Sequence, residues 1–138
     1  MIVLDCSAAV NIATRTARGD ALQSLFLPEE KIIAPDLFHA EAASAMGKYV
    51  RSSVLSQKEA LEYLEDMIRL VDEFIPMKEN YVEAFYESIT LDHSVYDMLY
   101  LTLARRFRAT LVSLDKRLIE LCEEQGIDCI HTVQGGST

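Results

Sequence analysis

The sequence predicts a domain of the α/β class built around a parallel sheet. Short apolar runs rich in β-branched residues alternate with longer segments of helical period, along the whole chain and without a linker or a repeat. With 138 residues, the chain has the size of one domain with one hydrophobic core. We expect that domain to span residues 1–134 and the terminal GGST, residues 135–138, to form a flexible tail.

Five strands are predicted from the apolar runs, each bounded by turn or helix signals. The first run, MIVL, opens the chain, and the fourth, TLVSL, lies near its C-terminal end. In chain order the predicted strands are Met1–Leu4, Lys31–Ala34, Phe74–Pro76, Thr110–Leu114 and Cys129–Thr132.

Helix starts are marked by residues whose side chains can accept hydrogen bonds from free backbone N–H groups. Ser7 and Asp36 are suited to cap two helices, and Ser56 opens a capping box in the segment SQKE. Asp115 can cap the last helix, which is expected to end at Gly126. Further helical segments are Gln57–Val71, Glu79–Thr90 and the apolar SVYDMLYLTLARR, residues 94–106.

Composition excludes several classes of protein. No run approaches the roughly 18 apolar residues of a membrane span, and MIVLDCSAAV lacks the basic start of a signal peptide, which predicts a cytoplasmic protein. Cys6, Cys122 and Cys129 form neither a disulfide scaffold nor a Cys-x-x-Cys zinc pair. We interpret Cys6 as a small apolar residue that fills a gap.

Two aspartates directly follow predicted strands. Asp5 comes after MIVL, and Asp115 comes after TLVSL. In open parallel sheets the carboxyl ends of the strands line the crevice where ligands bind, so the two carboxylates are candidates for one site. A plain N-cap is the alternative for each, and it is weaker for Asp5 because Ser7 is available to cap that helix.

Two further acids interrupt helices that are otherwise apolar. Asp97 lies in the first turn of VYDMLYLTLARR, and Glu41 lies among alanines in PDLFHAEAASAM. A helix that is apolar on all sides is buried, and a carboxylate near a core is costly unless it is paired or metal-bound. For Asp97 the alternative is a capping interaction with Ser94 that also favours the positive end of the helix dipole.

Four carboxylates in one cleft either take up protons or hold cations. Oxygen ligands without a cysteine or histidine pair favour Mg²⁺ or Mn²⁺ over zinc. Sites of that kind perform phosphoryl transfer, since metal ions activate water and neutralise charge on the scissile phosphate. The net charge of −9, from 22 acidic and 13 basic residues, repels nucleic acid unless it is reversed locally, and bound metal provides that reversal.

Four segments in family order resemble the PIN-domain nucleases, and within them the VapC-type toxins of toxin–antitoxin pairs. They are MIVLDCSAAV, APDLFHAEAASAM, SVYDMLYLTLARR and TLVSLDKRL, and together they span almost the whole chain. The resemblance implies a three-layer α/β/α sandwich of the PIN type and a metal-dependent RNA endonuclease activity. It also implies a homodimer and an antitoxin of the VapB type that lies across the cleft.

The family's acidic quartet falls on the four acids already singled out, and the resemblance makes them the catalytic metal ligands for Mg²⁺ or Mn²⁺. Ser7 and Ser113 match hydroxyl positions expected to orient carboxylates and water. Arg117 stands where some relatives carry another acid, which leaves open whether one metal or two are held. The quartet consists of Asp5, Glu41, Asp97 and Asp115.

Other residues receive looser predictions. Asp92 is either an outer ligand or, more simply, a loop cap. Solvated faces are the default interpretation of the basic clusters, which nevertheless flank the acids and are candidate contacts to RNA. The candidates are Arg15, Arg18, Arg105, Lys116 and Arg117.

Competing functions differ in the acids they require. A receiver-type signalling domain that binds Mg²⁺ needs a pair of acids after the first strand, where the chain has only Asp5. A haloacid-dehalogenase-type phosphatase needs Asp-x-Asp, and Ser7 occupies the second position. A housekeeping RNA-processing nuclease with a PIN domain remains open as an alternative to a toxin. The helices Gln57–Val71 and Glu79–Thr90 are candidates for a partner groove or a dimer surface, and core packing explains them equally well.

Overall fold

The computed structural model describes residues 1–131 and contains a five-stranded sheet in which every pair of neighbouring strands is parallel. This confirms the predicted α/β class. The strands are β1 (Ile2–Leu4), β2 (Ile32–Pro35), β3 (Glu73–Ile75), β4 (Thr110–Val112) and β5 (Cys129–Ile130). The helices are α1 (Cys6–Ala13), α2 (Ala17–Gln23), α3 (Leu37–Arg51), α4 (Gln57–Arg69), α5 (Tyr81–Thr90), α6 (Val95–Phe107) and α7 (Lys116–Gln125).

The helices form two layers, one on each face of the sheet. Because successive side chains of a strand point to opposite faces, Val3 packs with the core under α5, α6 and α7, whereas Ile2 and Leu4 pack with the core under α1 to α4. Strand β4 divides in the same way, with Leu111 in the first core and Val112 in the second. The three-layer α/β/α sandwich is therefore confirmed.

The order of the strands creates a crevice beside β1. From β1 the chain passes outward to β2 and β3 and then returns to β4 on the other side of β1, giving the order β3-β2-β1-β4-β5. The carboxyl ends of β1 and β4 thus lie at the point where the winding reverses, which is where open α/β sheets bind ligands. Receiver domains have the order 2-1-3-4-5, so the receiver alternative is wrong.

Most element bounds differ from the prediction by one or two residues. Strand β4 ends at Val112 rather than Leu114. The Ser113 N–H still donates to the carbonyl oxygen of Ile130, but the Ser113 hydroxyl and the Leu114 N–H donate to Asp5 and Ser7 after the end of β1. Strand β5 is described over Cys129–Ile130. The predicted end of that strand at Thr132 and the tail, residues 135–138, lie outside the described residues, and a domain limit at residue 134 remains a prediction.

The cap of α1 was predicted wrongly. Asp5, not Ser7, occupies the N-cap position, and its side chain accepts a hydrogen bond from the N–H of Ala8. Ser7 lies inside the first turn, where its hydroxyl donates to Asp5 instead of capping the helix. Asp36 stands at the N-cap of α3 without capping it through its side chain, since its carboxylate accepts the N–H of Met77.

Helix α2 was not predicted, and the helix predicted from Glu79 begins later. The seven residues of α2 include Gly19, an unfavourable residue inside a helix. A Cβ on Gly19 would lie 2.0 Å from the carbonyl oxygen of Asn11, so the glycine allows α2 to pack closely on α1. A short 3₁₀ turn, Met77–Glu79, precedes α5.

Other helix signals were read correctly. Ser56 forms both hydrogen bonds of its capping box with Glu59. Asp115 caps α7 through its side chain, and Gly126 ends that helix in the left-handed conformation with φ 69°. Among residues 1–131, no helix is both long enough and apolar enough to cross a membrane.

Candidate active site

A cleft of about 430 Å³ opens at the carboxyl ends of β1 and β4. Its walls come from the start of α1 and from α3, α6 and α7, so elements far apart in sequence meet around one space. The structure brings all four predicted acids to this cleft, each from a different element. They are Asp5 after β1, Glu41 on α3, Asp97 on α6 and Asp115 before α7.

Asp5 forms the floor of the cleft and is only 5% exposed. Its Oδ1 accepts hydrogen bonds from the Ser7 hydroxyl at 2.7 Å and the Ala8 N–H at 3.0 Å, and its Oδ2 accepts the Ser113 hydroxyl at 2.6 Å. Burial raises the pKa of Asp5 to about 6, the three hydrogen bonds oppose that rise, and the charge of Asp115 adds to it. A carboxylate has about four acceptor positions, so Oδ2 retains a free one.

Ser7 and Ser113 connect the end of β1 to the segment after β4. While each hydroxyl donates to Asp5, the Ser7 oxygen accepts the Leu114 N–H at 2.9 Å and the Ser113 oxygen accepts the Asp115 N–H at 2.9 Å. Each hydroxyl is therefore fixed in direction by a backbone donor and fixes the Asp5 carboxylate in turn. The same contacts position the backbone of Asp115.

Glu41 is held by a residue that the sequence analysis missed. The hydroxyl of Tyr100, a side chain only 2% exposed, donates to Glu41 Oε1 at 2.6 Å. Burial raises the pKa of Glu41, the Tyr100 hydrogen bond lowers it, and the charges of Asp97 and Asp115 raise it again. Tyr100 belongs to the helix predicted from SVYDMLYLTLARR, where it was counted with the apolar residues, although its spacing of three residues from Asp97 places both on one face of the helix.

Asp97 and Asp115 face each other from two helix starts. The N–H of Asp97 donates to the Ser94 hydroxyl at 3.1 Å, and Asp115 Oδ1 accepts the N–H groups of Arg117 and Leu118 at 2.9 and 3.3 Å. Burial raises the pKa of Asp97 and the charge of Asp115 raises it further, while Arg117, His93 and the Ser94 hydrogen bond act in the opposite direction. The capping alternatives are thus real features of both helices, and they leave the two carboxylates at the cleft.

The four acids of the cleft form no ion pair with a basic residue in the described part of the chain. Within residues 1–131, none of the ion pairs includes any of the four carboxylates. In that same part of the chain, no three acidic, histidine or cysteine side chains stand close enough together to hold a metal ion as they are. The acids therefore share a cleft without being assembled into a finished coordination shell.

Cys6 lines the cleft as an uncharged thiol. Burial raises its pKa to about 12, and the charges of Glu41 and Asp5 contribute to the rise. A thiol with so high a pKa is a poor nucleophile at neutral pH. This agrees with the interpretation of Cys6 as a residue that fills space.

The basic candidates lie in different surroundings. Arg117 is the one whose charge acts on Asp97, and Lys116 is exposed beside it. Arg15 forms an ion pair with Asp20 at 2.7 Å. Arg105 pairs with acids of α5, and neither Arg105 nor the exposed Arg18 lines the cleft. Contacts of these five residues with RNA remain predictions.

Asp92 lies outside the cleft lining. It is exposed and adopts the left-handed conformation with φ 52°, in the turn between α5 and α6. Aspartate and asparagine tolerate that conformation better than most residues. The N-cap of α6 is Ser94.

Comparison with known proteins supports one family. No model of a protein family matches the chain. Ribonuclease VapC12 of Mycobacterium tuberculosis is 32% identical over 120 residues, which cover 87% of this chain and 91% of that protein. Ribonuclease VapC1 of the same organism is 32% identical over 119 residues, covering 84% and 86%, and Ribonuclease VapC3 of Pyrobaculum aerophilum is 27% identical over 124 residues, covering 86% and 92%.

Solved structures agree in fold. PAE2754 from Pyrobaculum aerophilum superposes with a TM-score of 0.67 at 21% identity, covering 86% of this chain and 84% of that one. A chain of VapBC2 from Rickettsia felis, in a complex bound to a DNA fragment from their promoter, superposes with a TM-score of 0.65 at 17% identity, covering 96% and 100%. Sequence identity that extends over nine tenths of a named ribonuclease, together with this fold, shows that the chain belongs to the VapC family of PIN-domain ribonucleases.

Proposed function

We propose that the chain is a divalent-metal-dependent endoribonuclease, the toxin of a VapBC-type toxin–antitoxin pair. The observation that carries this proposal is the convergence of four carboxylates, none of them in an ion pair within residues 1–131, at the switch point of the sheet. Membership of a family whose relatives are named ribonucleases supplies the reaction. The proposed metal ligands are Asp5, Glu41, Asp97 and Asp115.

The chemistry of the cleft fits a hard divalent cation. Its donors are carboxylate oxygens, which Mg²⁺ and Mn²⁺ prefer. Burial raises the pKa of three of them, so a bound cation would relieve an unfavourable concentration of negative charge. Since the side chains are not assembled into a coordination shell as they stand, the carboxylates must turn toward the ion when it binds. The three carboxyl groups whose pKa is raised by burial are those of Asp5, Glu41 and Asp97.

The chain's own residues contribute position and charge to the reaction. Ser7 and Ser113 hold Asp5 in one orientation, and Tyr100 does the same for Glu41. A bound divalent cation supplies a water of lowered pKa and neutralises charge on the scissile phosphate. The cleft offers no activated thiol, because the pKa of Cys6 is raised to about 12, so we propose hydrolysis by water without a covalent enzyme intermediate.

The test is cleavage of total cellular RNA by the purified protein with Mg²⁺, with Mn²⁺ and with EDTA. We expect discrete fragments with either metal, none with EDTA, and none from the Asp97→Asn variant. Glu62→Gln is the matched control, since it also removes one negative charge but lies exposed on α4. Folded wild-type protein, freed of any antitoxin, that cuts no RNA with either metal would overturn the proposal.

An antitoxin of the VapB type is the proposed inhibitor. Two of the similar solved structures are VapBC assemblies. The acidic cleft of this chain has a charge that suits a basic segment of an inhibitor. Co-purification with the product of a small neighbouring gene, followed by loss of RNA cleavage in the complex, distinguishes a toxin from a housekeeping RNA-processing nuclease. A complex that cleaves as well as the free chain argues for the housekeeping enzyme.

Helix α5 is the proposed homodimer surface. Val82, Phe85, Tyr86 and Ile89 follow helical spacing along one face and are each at least half exposed, from 50% to 64%. Exposed apolar patches of this kind mark interaction sites. We expect light scattering to give the mass of a dimer for the wild type and of a monomer for Phe85→Glu, and a wild-type monomer at every concentration would exclude this surface.

A further inference from the structure

Lys48 is the basic residue among those that line the cleft. It lies on α3 seven residues after Glu41, so two helical turns place both side chains on the same face, about 10 Å apart along the axis. Lys48 is exposed and takes part in none of the ion pairs within residues 1–131. Its ammonium group is therefore available to an anion at the far end of the cleft.

A second exposed side chain of the cleft is that of Tyr96. It precedes Asp97 on α6 and lines the same cleft, but it is 56% exposed, whereas Tyr100 on the next turn is 2% exposed and bonded to Glu41. The hydroxyl of Tyr96 takes part in none of the side-chain hydrogen bonds found in the described part of the chain. An aromatic ring exposed beside a charged cleft is a platform on which a planar base can stack.

We infer that Tyr96 and Lys48 bind a nucleotide next to the scissile bond. The base stacks on the ring of Tyr96, and a phosphate neighbouring the scissile one pairs with Lys48. This inference rests on the proposed ribonuclease function. The cleft volume of about 430 Å³ is in the range of small-ligand sites, roughly 300–1,000 Å³. A base inside a duplex already stacks on its neighbours and offers no free face.

The distance between Lys48 and the acids separates substrate binding from metal binding. Because Lys48 lies about 10 Å along the helix from Glu41, we place its ammonium group against a phosphate that neighbours the scissile one and not among the carboxylates. Lys48 and Tyr96 are thus positioning residues for the substrate. Their loss weakens binding and leaves the chemistry at the acids intact.

The test compares variants in steady-state cleavage of a short single-stranded RNA and of the same RNA annealed to its complement. We expect Tyr96→Leu to raise KM by roughly 5- to 150-fold, the range for one stacked base, with kcat preserved and with Tyr96→Phe close to wild type. Lys48→Gln raises KM and lowers the salt dependence of kcat/KM by about one phosphate contact, and Lys48→Arg restores both. Duplex RNA is cut far more slowly by every form.

The matched controls lie outside the cleft. Tyr63→Leu removes a tyrosine from α4, and Lys58→Gln removes an exposed lysine from the same helix. Both are expected to keep the wild-type KM and salt dependence. Wild-type KM in Tyr96→Leu and Lys48→Gln, or equal cleavage of single-stranded and duplex RNA, would overturn the inference.

A binding measurement separates this inference from the proposed function. Fluorescence anisotropy of the labelled single-stranded RNA is recorded with Asp97→Asn protein, which is expected not to cut, with and without Tyr96→Leu or Lys48→Gln. If the wild type cuts no RNA but binding still depends on Tyr96 and Lys48, the nuclease proposal fails and the nucleotide subsite stands. If the wild type cuts RNA and binding is unaffected by either substitution, the subsite fails alone.

Discussion

The two ends of helix α6 differ in whether their charged residues form ion pairs within the protein. At the C-terminal end, Arg105 donates to Glu87 and lies 3.6 Å from Glu83 on α5. Arg106 donates to the carbonyl oxygen of Glu79, and the chain leaves the helix through Arg108 in the left-handed conformation. Cations at a helix C-terminus also interact favourably with its dipole. This end is neutralised by the protein itself.

At the N-terminal end the charges repel each other. Asp97 faces Asp115 and Glu41, and the structure raises the pKa of Asp97 instead of lowering it, as an ion pair would. Burial is the largest cause of the raised pKa of Asp97, the charge of Asp115 adds to it, and Arg117 and His93 offset it only in part. A proton or a cation bound at the N-terminal end would relieve this unfavourable charge, whereas at the C-terminal end the ion pairs of Arg105 already do so.

The largest expected effect comes from exchanging one carboxylate at each end for its amide. Asp97→Asn is expected to lower kcat/KM for RNA cleavage by about 10³-fold, the size of losing one charge-stabilising group, and to reduce the rise in Tm that Mn²⁺ produces by binding the folded state. Glu87→Gln should keep both within twofold of wild type, a margin set by the roughly additive behaviour of distant sites. Equal losses of kcat/KM and of the Mn²⁺-induced rise in Tm in the two variants would contradict the comparison. They would mean that the loss comes from a general disturbance of α6 and not from the carboxylate in the cleft.

Tyr100→Phe is the next largest perturbation, because it removes one hydroxyl and keeps the ring in the core. Cleavage is expected to fall by about 10- to 100-fold, as for other groups that orient metal ligands. The Tyr100 hydrogen bond lowers the pKa of Glu41, so its loss raises that pKa, and the acid limb of the pH–rate profile should move to higher pH. Tyr63→Phe on α4 is the control, and an unchanged pH profile in Tyr100→Phe would reduce the tyrosine to a packing residue.

The fold could be predicted from the sequence because hydrophobic periodicity and cap residues act over only a few neighbouring positions. The alternation of strand and helix, the capping box at Ser56 and the left-handed Gly126 all depend on residues close in sequence. Helix α2 was missed although Thr16 caps it locally, because a glycine inside a helix is unfavourable by propensity and the close packing of Gly19 on Asn11 is visible only in the fold. The local pattern around a glycine carries no information about that contact.

Sequence reasoning found the candidate acids because they are unusual in their helices, and it missed candidate residues that are ordinary in theirs. Acids such as Glu41 and Asp97 stand out because they interrupt apolar helices, and the structure places both at the cleft. Tyr100 fits an apolar stripe, and its contact with Glu41 spans 59 positions, so a local pattern could not reveal it. The same holds for Lys48, which resembles any solvated lysine until the fold places it at the end of the cleft.

Asp5→Asn is expected to stabilise the metal-free protein at neutral pH. The carboxyl has a pKa of 3.8 when unfolded and about 6 in the fold, so the folded state binds its proton more tightly. Its contribution is fully present below the unfolded pKa and is lost as pH rises through the folded pKa. At pH 7 with EDTA, the uncharged amide should raise the free energy of unfolding by up to about 3 kcal/mol, at about 1.4 kcal/mol per pKa unit.

Urea denaturation of both proteins at pH 4 and pH 7 measures this effect. The advantage of Asp5→Asn should shrink toward pH 4, where the wild-type carboxyl is protonated in the fold. An advantage for the wild type that grows with pH would mean that a cation from the protein neutralises Asp5. The acids around the N-terminal end of α6 would then be neutralised by the protein itself, as the charges at the C-terminal end are.

The smallest effect is expected from Arg105 and Glu87. Both side chains remain partly exposed, 37% and 21%, and pairs of that kind contribute at most about 1 kcal/mol and less at high salt. A double-mutant cycle with Arg105→Gln and Glu87→Gln, followed by urea denaturation, should give a coupling energy below that value.

RNA cleavage by Arg105→Gln at several salt concentrations decides whether Arg105 also contacts RNA. An unchanged salt dependence leaves Arg105 as a structural partner of α5, because its charge is already matched by the two glutamates. A salt dependence reduced by about one contact would mean that RNA displaces Glu87 from Arg105, and the neutralised end of α6 would then belong to the substrate surface as well.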